Sequence, residues 1–135
     1  MSFEFPVRVY WEDTDAGGIV FYANYLKFFE RARTEWLRHL GLQQQGLKKE
    51  TGGMFVVSET RLKYHRPAQL DDLLQVSAQL QDKGRASLVI AQQAWRLEDN
   101  GSSSLLCEGT IRIGWVQAAS LKPERIPTSI LELLS

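Results

Sequence analysis

The chain has 135 residues, 44% of them hydrophobic and 24% charged, with 16 Lys+Arg balanced by 16 Asp+Glu for a formal net charge of +0. Such a chain suits one domain, residues 1–135, which can bury roughly 70% of its unfolded-chain surface and so needs no disulfide or structural metal to fold. The charge balance argues against a strong electrostatic nucleic-acid binder. It also offers little protection against self-association.

The single cysteine, Cys107, cannot form an internal disulfide and fits a reducing compartment. Its place in an alternating run makes it a core-facing strand residue rather than a nucleophile. The opening stretch MSFEFPVRVYWEDTD has no basic region followed by an apolar one, so no signal peptide is expected. No apolar run approaches the ~20 residues of a membrane span. A cytoplasmic protein is expected.

In chain order, Val7, Val9 and Trp11 alternate with Arg8 and Tyr10, which predicts a first short strand. Asp13 to Gly18 is loop chemistry, with two aspartates and a Gly17-Gly18 pair. Asn24 is placed to cap the helix that follows. Tyr25, Phe28, Phe29, Ala32, Trp36 and Leu40 recur at helical spacing, and Arg38, His39 and Gly41 mark the end. This long, one-sided apolar helix should be the central packing element. Gln43-Gln44-Gln45 reads as a polar turn or helix end.

Strands follow. Val56, Ser58, Thr60, Leu62 and Tyr64 alternate with Val57 and then with polar residues up to a stop at Pro67. Leu74, Val76, Ala78 and Leu80 alternate with polar residues, with Lys83-Gly84-Arg85 as a turn. A third strand runs from about Ser87 to Leu97, before the turn signal Asp99-Asn100-Gly101. Leu105, Cys107, Gly109, Ile111, Ile113 and Trp115 predict a fourth, and Pro127 opens a short final helix through Leu134. One apolar helix and a following antiparallel sheet make an α+β layer architecture with one buried sheet face.

The segment EDTDAGGIVFYANYLKFFERAR, from Glu12 to Arg33, carries the chemistry. An acidic loop runs through a glycine pair and a short apolar piece into a helix start. Glycines let the backbone approach a ligand. The first N–H groups of a helix lack internal partners and can stabilise the oxyanion formed when a thioester carbonyl is attacked. A carboxylate in the adjoining loop can attack that carbonyl or activate water. The plainer reading is that the aspartates are caps and turn formers.

This segment closely resembles the signature of the 4-hydroxybenzoyl-CoA thioesterase superfamily, and most of all its Tol-Pal system-associated acyl-CoA thioesterase branch. The resemblance runs through VRVYWEDTDAGGIVFYANYLKFFERARTEWLR and FVVSETRLKYHRPAQLDDLL into the later strands. It implies a hotdog fold, an antiparallel sheet wrapped around a long central helix. It implies a homo-oligomer, a dimer with interfacial active sites or a tetramer of such pairs. The family's catalytic aspartate falls on Asp15, with Asp13 as the competing carboxylate. Its oxyanion donor falls on the Tyr22 backbone N–H. Gly17, Gly18 and Asn24 would shape the loop and helix start, and Tyr25 would line the site. Lys83 and Arg85 resemble the region that contacts the nucleotide, while Lys63, His65 and Arg66 form a second basic cluster.

The implied reaction hydrolyses acyl-CoA to a carboxylic acid and coenzyme A. No cofactor is needed, because coenzyme A is part of the substrate, and no metal is expected because metal-ligand spacings are absent. Implied partners are the acyl-CoA and, beyond it, an acyl carrier protein or phospholipid-synthesis enzymes. Many members of the Tol-Pal-associated branch carry His where Tyr22 stands, whereas Tyr occurs in the hydroxybenzoyl-CoA branch. Aromatic and aliphatic acyl groups therefore both stay open. Two other readings keep the fold: a non-enzymatic acyl-carrier or envelope-associated scaffold, and a 3-hydroxyacyl thioester dehydratase. The second needs a His that the helix-start segment lacks.

Overall fold

The computed structural model describes residues 2–134. Five strands, β1 (Phe3–Arg8), β2 (Gly53–Tyr64), β3 (Leu73–Lys83), β4 (Ser87–Leu97) and β5 (Ser103–Gln117), form one sheet. Their order is β1-β3-β4-β5-β2, and every neighbouring pair is antiparallel. Helix α1 (Tyr25–His39) lies against this sheet, with a short α2 (Gln44–Thr51) and α3 (Thr128–Leu133) beyond it. This is the hotdog arrangement expected from the sequence.

The core follows from the two periodicities. Phe28, Phe29, Ala32, Trp36 and Leu37 give α1 a continuous buried face, spaced three and four residues apart as a packed helix requires. Opposite them, Leu74, Val76 and Ala78 of β3 and Leu88, Ile90 and Ala94 of β4 are fully buried, at the two-residue spacing of one sheet face. Burial of each large side chain stabilises the fold by about 1.5–3 kcal/mol. Gly41, at φ 88°, stops the helix, and its N–H donates to the Arg38 carbonyl at 2.9 Å.

One polar link crosses this core. Arg33 of α1 is 9% exposed, and its Nη1 donates to Gln92 Oε1 of β4 at 3.0 Å. Gln92 Nε2 in turn donates to the carbonyls of Phe29 and Ser77. Burial pushes the Arg33 guanidinium below its ordinary value, against the field of Glu30. Helix and sheet are thereby pinned in one register.

Several elements differ from the sequence expectation. Trp11 is not in the first strand: Trp11–Asp13 forms a 3-10 turn, and Trp11 is 83% exposed. The polar run after Gln43 opens α2, anchored by the single buried Leu47. The β5 alternation slips at a bulge, because Ala94 pairs with Cys107 while Trp95 pairs with Leu105. Leu106 is the extra residue, and its carbonyl accepts from both His65 and Arg66 N–H groups. Asn24 adopts helical backbone angles and makes no cap hydrogen bond.

Candidate active site

The site end of the molecule is where β1 finishes, β3 begins and β2 finishes, since Arg8 pairs with Leu73 and Tyr64 pairs with Cys107. The chain leaves β1, makes the Trp11–Asp13 turn and enters a tight loop. Thr14 and Val20 bridge across the loop neck. Asp15 N–H donates to the Ile19 carbonyl at 2.9 Å, and Gly18 N–H to the Asp15 carbonyl at 3.0 Å. Gly18 sits at φ 79°, a conformation that glycine adopts without steric cost. Val20 N–H then donates to the Ala68 carbonyl at 2.8 Å, which fixes the loop to the segment after β2.

Hydrogen bonding separates the two aspartates. Asp13 is buried at 5% exposure. Its Oδ1 accepts from Asn24 Nδ2 at 2.9 Å and its Oδ2 from the Tyr10 N–H at 2.8 Å. Its carbonyl accepts from Phe21 N–H at 3.1 Å. Asp13 is therefore a brace that ties the loop to the helix start, and this brace is what Asn24 serves instead of a cap. Asp15 is solvent-exposed. Its Oδ1 accepts from Gly17 N–H at 2.8 Å, the turn geometry typical of Asp two residues ahead of a free amide. Oδ2 has no protein partner in the described chain. A Cβ at Gly17 would lie 3.2 Å from Asp15 Oδ1, so the absence of a side chain there keeps the carboxylate in place.

Past the loop, Tyr22–Asn24 forms a 3-10 turn that runs directly into α1. The Phe21 carbonyl accepts from Asn24 N–H at 2.8 Å, and the first N–H groups of this helical stretch, those of Tyr22 and Ala23, have no acceptor inside it. The Tyr22 side chain is 65% exposed. Tyr25 is buried, and its hydroxyl accepts from Ala68 N–H at 3.1 Å. Burial raises the Tyr25 phenol above its ordinary value, partly offset by that backbone bond. Tyr25 thus packs beneath the site as well as facing it.

A cleft of about 310 Å³ opens beside this helix start, walled by Ile19, Val20, Tyr22, Tyr25, Tyr64 and Pro67. That is at the small end of ligand-pocket volumes, and three phenol-bearing rings line it. His65 and Arg66 contribute to the cleft and also to a larger, more polar hollow of about 470 Å³ with Ser103, Ser104 and Leu105. His65 Nε2 lies 2.7 Å from Glu108 Oε2. The larger hollow is lined by none of the loop or helix-start residues, whereas the smaller cleft is lined by Ile19 and Val20 of the loop and by Tyr22 and Tyr25 of the helix start; Asp15 lines neither within one subunit. Tyr64 had no assigned place in the site at the level of sequence, and His65 was placed only in the second basic cluster with Lys63 and Arg66. Tyr64 was read only as an alternating strand residue, and no local spacing links position 64 to position 22.

Lys83 and Arg85 do not join these groups within one subunit. They flank the β3–β4 turn, ten residues beyond Leu73, about 33 Å along an extended strand. There, Lys83 Nζ donates to the Leu131 carbonyl of α3 at 3.5 Å, and the Arg85 carbonyl accepts from Ile126 N–H. The expected basic rim is thus at the far end of the sheet from Asp15.

A hotdog sheet and helix with an exposed carboxylate loop leading into free helix-start amides supply the groups that thioester cleavage uses. Residues 17–103 match the family model for the thioesterase superfamily. The chain belongs to that superfamily and is a thioester hydrolase. It is 42% identical over 129 residues to the acyl-CoA thioester hydrolase YbgC of Escherichia coli O6:H1, an alignment spanning 96% of this chain and 92% of that one. A probable thioesterase from Bartonella henselae shares 32% identity with a TM-score of 0.86, over 94% of this chain and all of that chain. A 4-hydroxybenzoyl-CoA thioesterase mutant complexed with 4-hydroxybenzoyl-CoA has the same fold, with a TM-score of 0.93 over 99% of each chain at 21% identity.

Proposed function

We infer that the protein hydrolyses acyl-CoA thioesters, with Asp15 as its catalytic carboxylate and the Tyr22 amide as the oxyanion donor. The observation that carries this assignment is the division of labour between the aspartates: both oxygens of Asp13 are consumed by Asn24 and Tyr10, while Asp15 keeps one free at the surface. The thioester carbonyl approaches the helix start, where the Tyr22 N–H donates to the oxygen on which negative charge develops. Asp15 attacks the carbonyl carbon or removes a proton from an attacking water. In either route the C–S bond breaks, coenzyme A leaves as its thiol, and water supplies the hydroxyl of the released carboxylic acid. The thioester is already an activated bond, so no cofactor is required.

The working unit is a homo-oligomer. β2 is a 12-residue edge strand with much of its length exposed, and long unprotected edges invite pairing with another chain. A subunit placed alongside would also bring its own Lys83 and Arg85 toward a neighbour's site, where they meet the phosphates of coenzyme A. The location is the cytoplasm; among the described residues, no helix is long and apolar enough to cross a membrane. An acyl carrier protein or a phospholipid-synthesis enzyme is the candidate protein partner.

The test is turnover of a panel of short, long and aromatic acyl-CoAs by the purified protein, read as free thiol released. Hydrolysis of at least one class is expected. Absence of turnover across the whole panel, with a stable protein partner in pull-downs, would favour a scaffold instead.

A further inference from the structure

The cleft beside the helix start holds a phenol that the mechanism above does not use. Tyr64, the last residue of β2, is 46% exposed, yet its hydroxyl is committed to one backbone group. It donates to the Tyr22 carbonyl at 2.9 Å, across 42 residues of sequence. Its ring meets those of Tyr22 and Tyr25 edge-on, with centroids 6.3 and 5.6 Å apart. Partial burial, with the neighbouring Cys107 and Tyr22, raises the phenol above its ordinary value, so it stays protonated and able to donate at neutral pH.

The position of this bond matters because of what lies on the other side of each peptide. The Phe21–Tyr22 peptide has its carbonyl occupied by Asn24 N–H at 2.8 Å, and its N–H is that of Tyr22. The Tyr22–Ala23 peptide has its carbonyl occupied by the Tyr64 hydroxyl, and its N–H is that of Ala23. A hydrogen bond at a carbonyl polarises the amide at the other end of the same peptide and fixes the peptide plane. Two consecutive amides at the helix start are thus each anchored from behind, one by the helix itself and one by a side chain from the sheet.

We propose that Tyr64 is a positioning residue for thioester hydrolysis: through the Tyr22 carbonyl it fixes the Tyr22–Ala23 peptide and so aims the Ala23 amide at the oxyanion, beside the Tyr22 amide that Asn24 anchors. The inference rests on the reading of the Tyr22 amide as oxyanion donor. A role in folding alone fits less well. Tyr64 is half-exposed, and water can replace it as donor to the carbonyl without fixing the peptide's direction. Catalysis is more demanding than folding here, since small misplacements of a catalytic group cost large factors in rate.

Removing the hydroxyl while keeping the ring separates these roles. Tyr64→Phe is expected to lower kcat about tenfold or more, with KM within about twofold of wild type and thermal stability little changed. Replacing Tyr64 with 4-aminophenylalanine, which restores a donor, should recover part of kcat. Replacing it with 4-methylphenylalanine, of similar size but without a donor, should not. If the Phe variant fails to fold, this second pair decides, because both fill the space of the phenol. Unchanged kcat in Tyr64→Phe, or equal kcat in the amino and methyl variants, overturns the inference. Asp15→Asn run alongside keeps the two readings apart. An inactive Asp15→Asn beside an unaffected Tyr64→Phe removes only Tyr64, whereas an active Asp15→Asn removes the site assignment itself.

Discussion

At the scale of single residues, Asp13 and Asp15 stand two positions apart in an acidic loop, and only their surroundings distinguish them. Asp13 holds the Asn24 amide and the Tyr10 N–H in a buried position. Asp13→Ala leaves both donors without a partner and should cost about 2–4 kcal/mol of stability. A lowered urea midpoint with an unchanged slope would show it, and Asn24→Ala should be strongly non-additive with it in a double-mutant cycle. Additive losses would mean the two side chains do not act as one brace. Sequence patterning put both carboxylates in the right loop, and resemblance pointed to Asp15. It could not show that Asp13 is buried, because that depends on the 3-10 turn at Trp11–Asp13, which alternation alone reads as strand. Asn24 misled in the same way: its residue type suits a cap, but its amide is drawn to a carboxylate eleven residues earlier.

At the scale of elements, α1 was legible because its buried face repeats at helical spacing over fifteen residues. α2 was not, because Leu47 is its only buried anchor and Gly46 interrupts it. Arg33 was equally opaque, since its partner Gln92 lies 59 residues away and a charged helix residue ordinarily reads as surface. The strands show how tightly β2 and β5 are joined. At Gly109 an added Cβ would fall 1.9 Å from the Arg61 carbonyl and 2.7 Å from Leu62 Cδ2. The nearer obstacle is backbone, which cannot swing aside. Gly109→Ala must therefore force β2 and β5 apart and is expected to destabilise by about 3 kcal/mol or more, at the upper end of overpacking costs. Chemical denaturation measures this, and a loss under about 1 kcal/mol would mean that the pairing is looser than its register implies. The same strand holds Cys107 in the core, where burial pushes its thiol up to about 12. It is thus a packing residue, as its place in the alternation suggested.

At the scale of the whole molecule, one subunit contains the carboxylate loop and the helix start but leaves Lys83 and Arg85 at the opposite end of the sheet. A sequence places residues along one chain and gives no direct view of a second, so a site shared between subunits is only half legible in it. If neighbouring subunits share their sites, Lys83→Ala with Arg85→Ala should raise KM for acyl-CoA about tenfold while leaving kcat near wild type, as expected when uniform binding is lost. The protein should also sediment as a dimer or larger species. A monomer with full activity, or a double variant with unchanged KM, would detach these two residues from the substrate.

The assignment of Asp15 is tested most directly by single-site kinetics. Asp15→Asn is nearly isosteric, and its side-chain oxygen can still accept from the Gly17 N–H, so the loop should keep its form while losing its base or nucleophile. Steady-state release of coenzyme A by wild type and variant, at equal protein and matched thermal stability, should show kcat reduced by about 10²- to 10⁴-fold. Turnover in Asp15→Asn within a few-fold of wild type would contradict the central place given to this carboxylate.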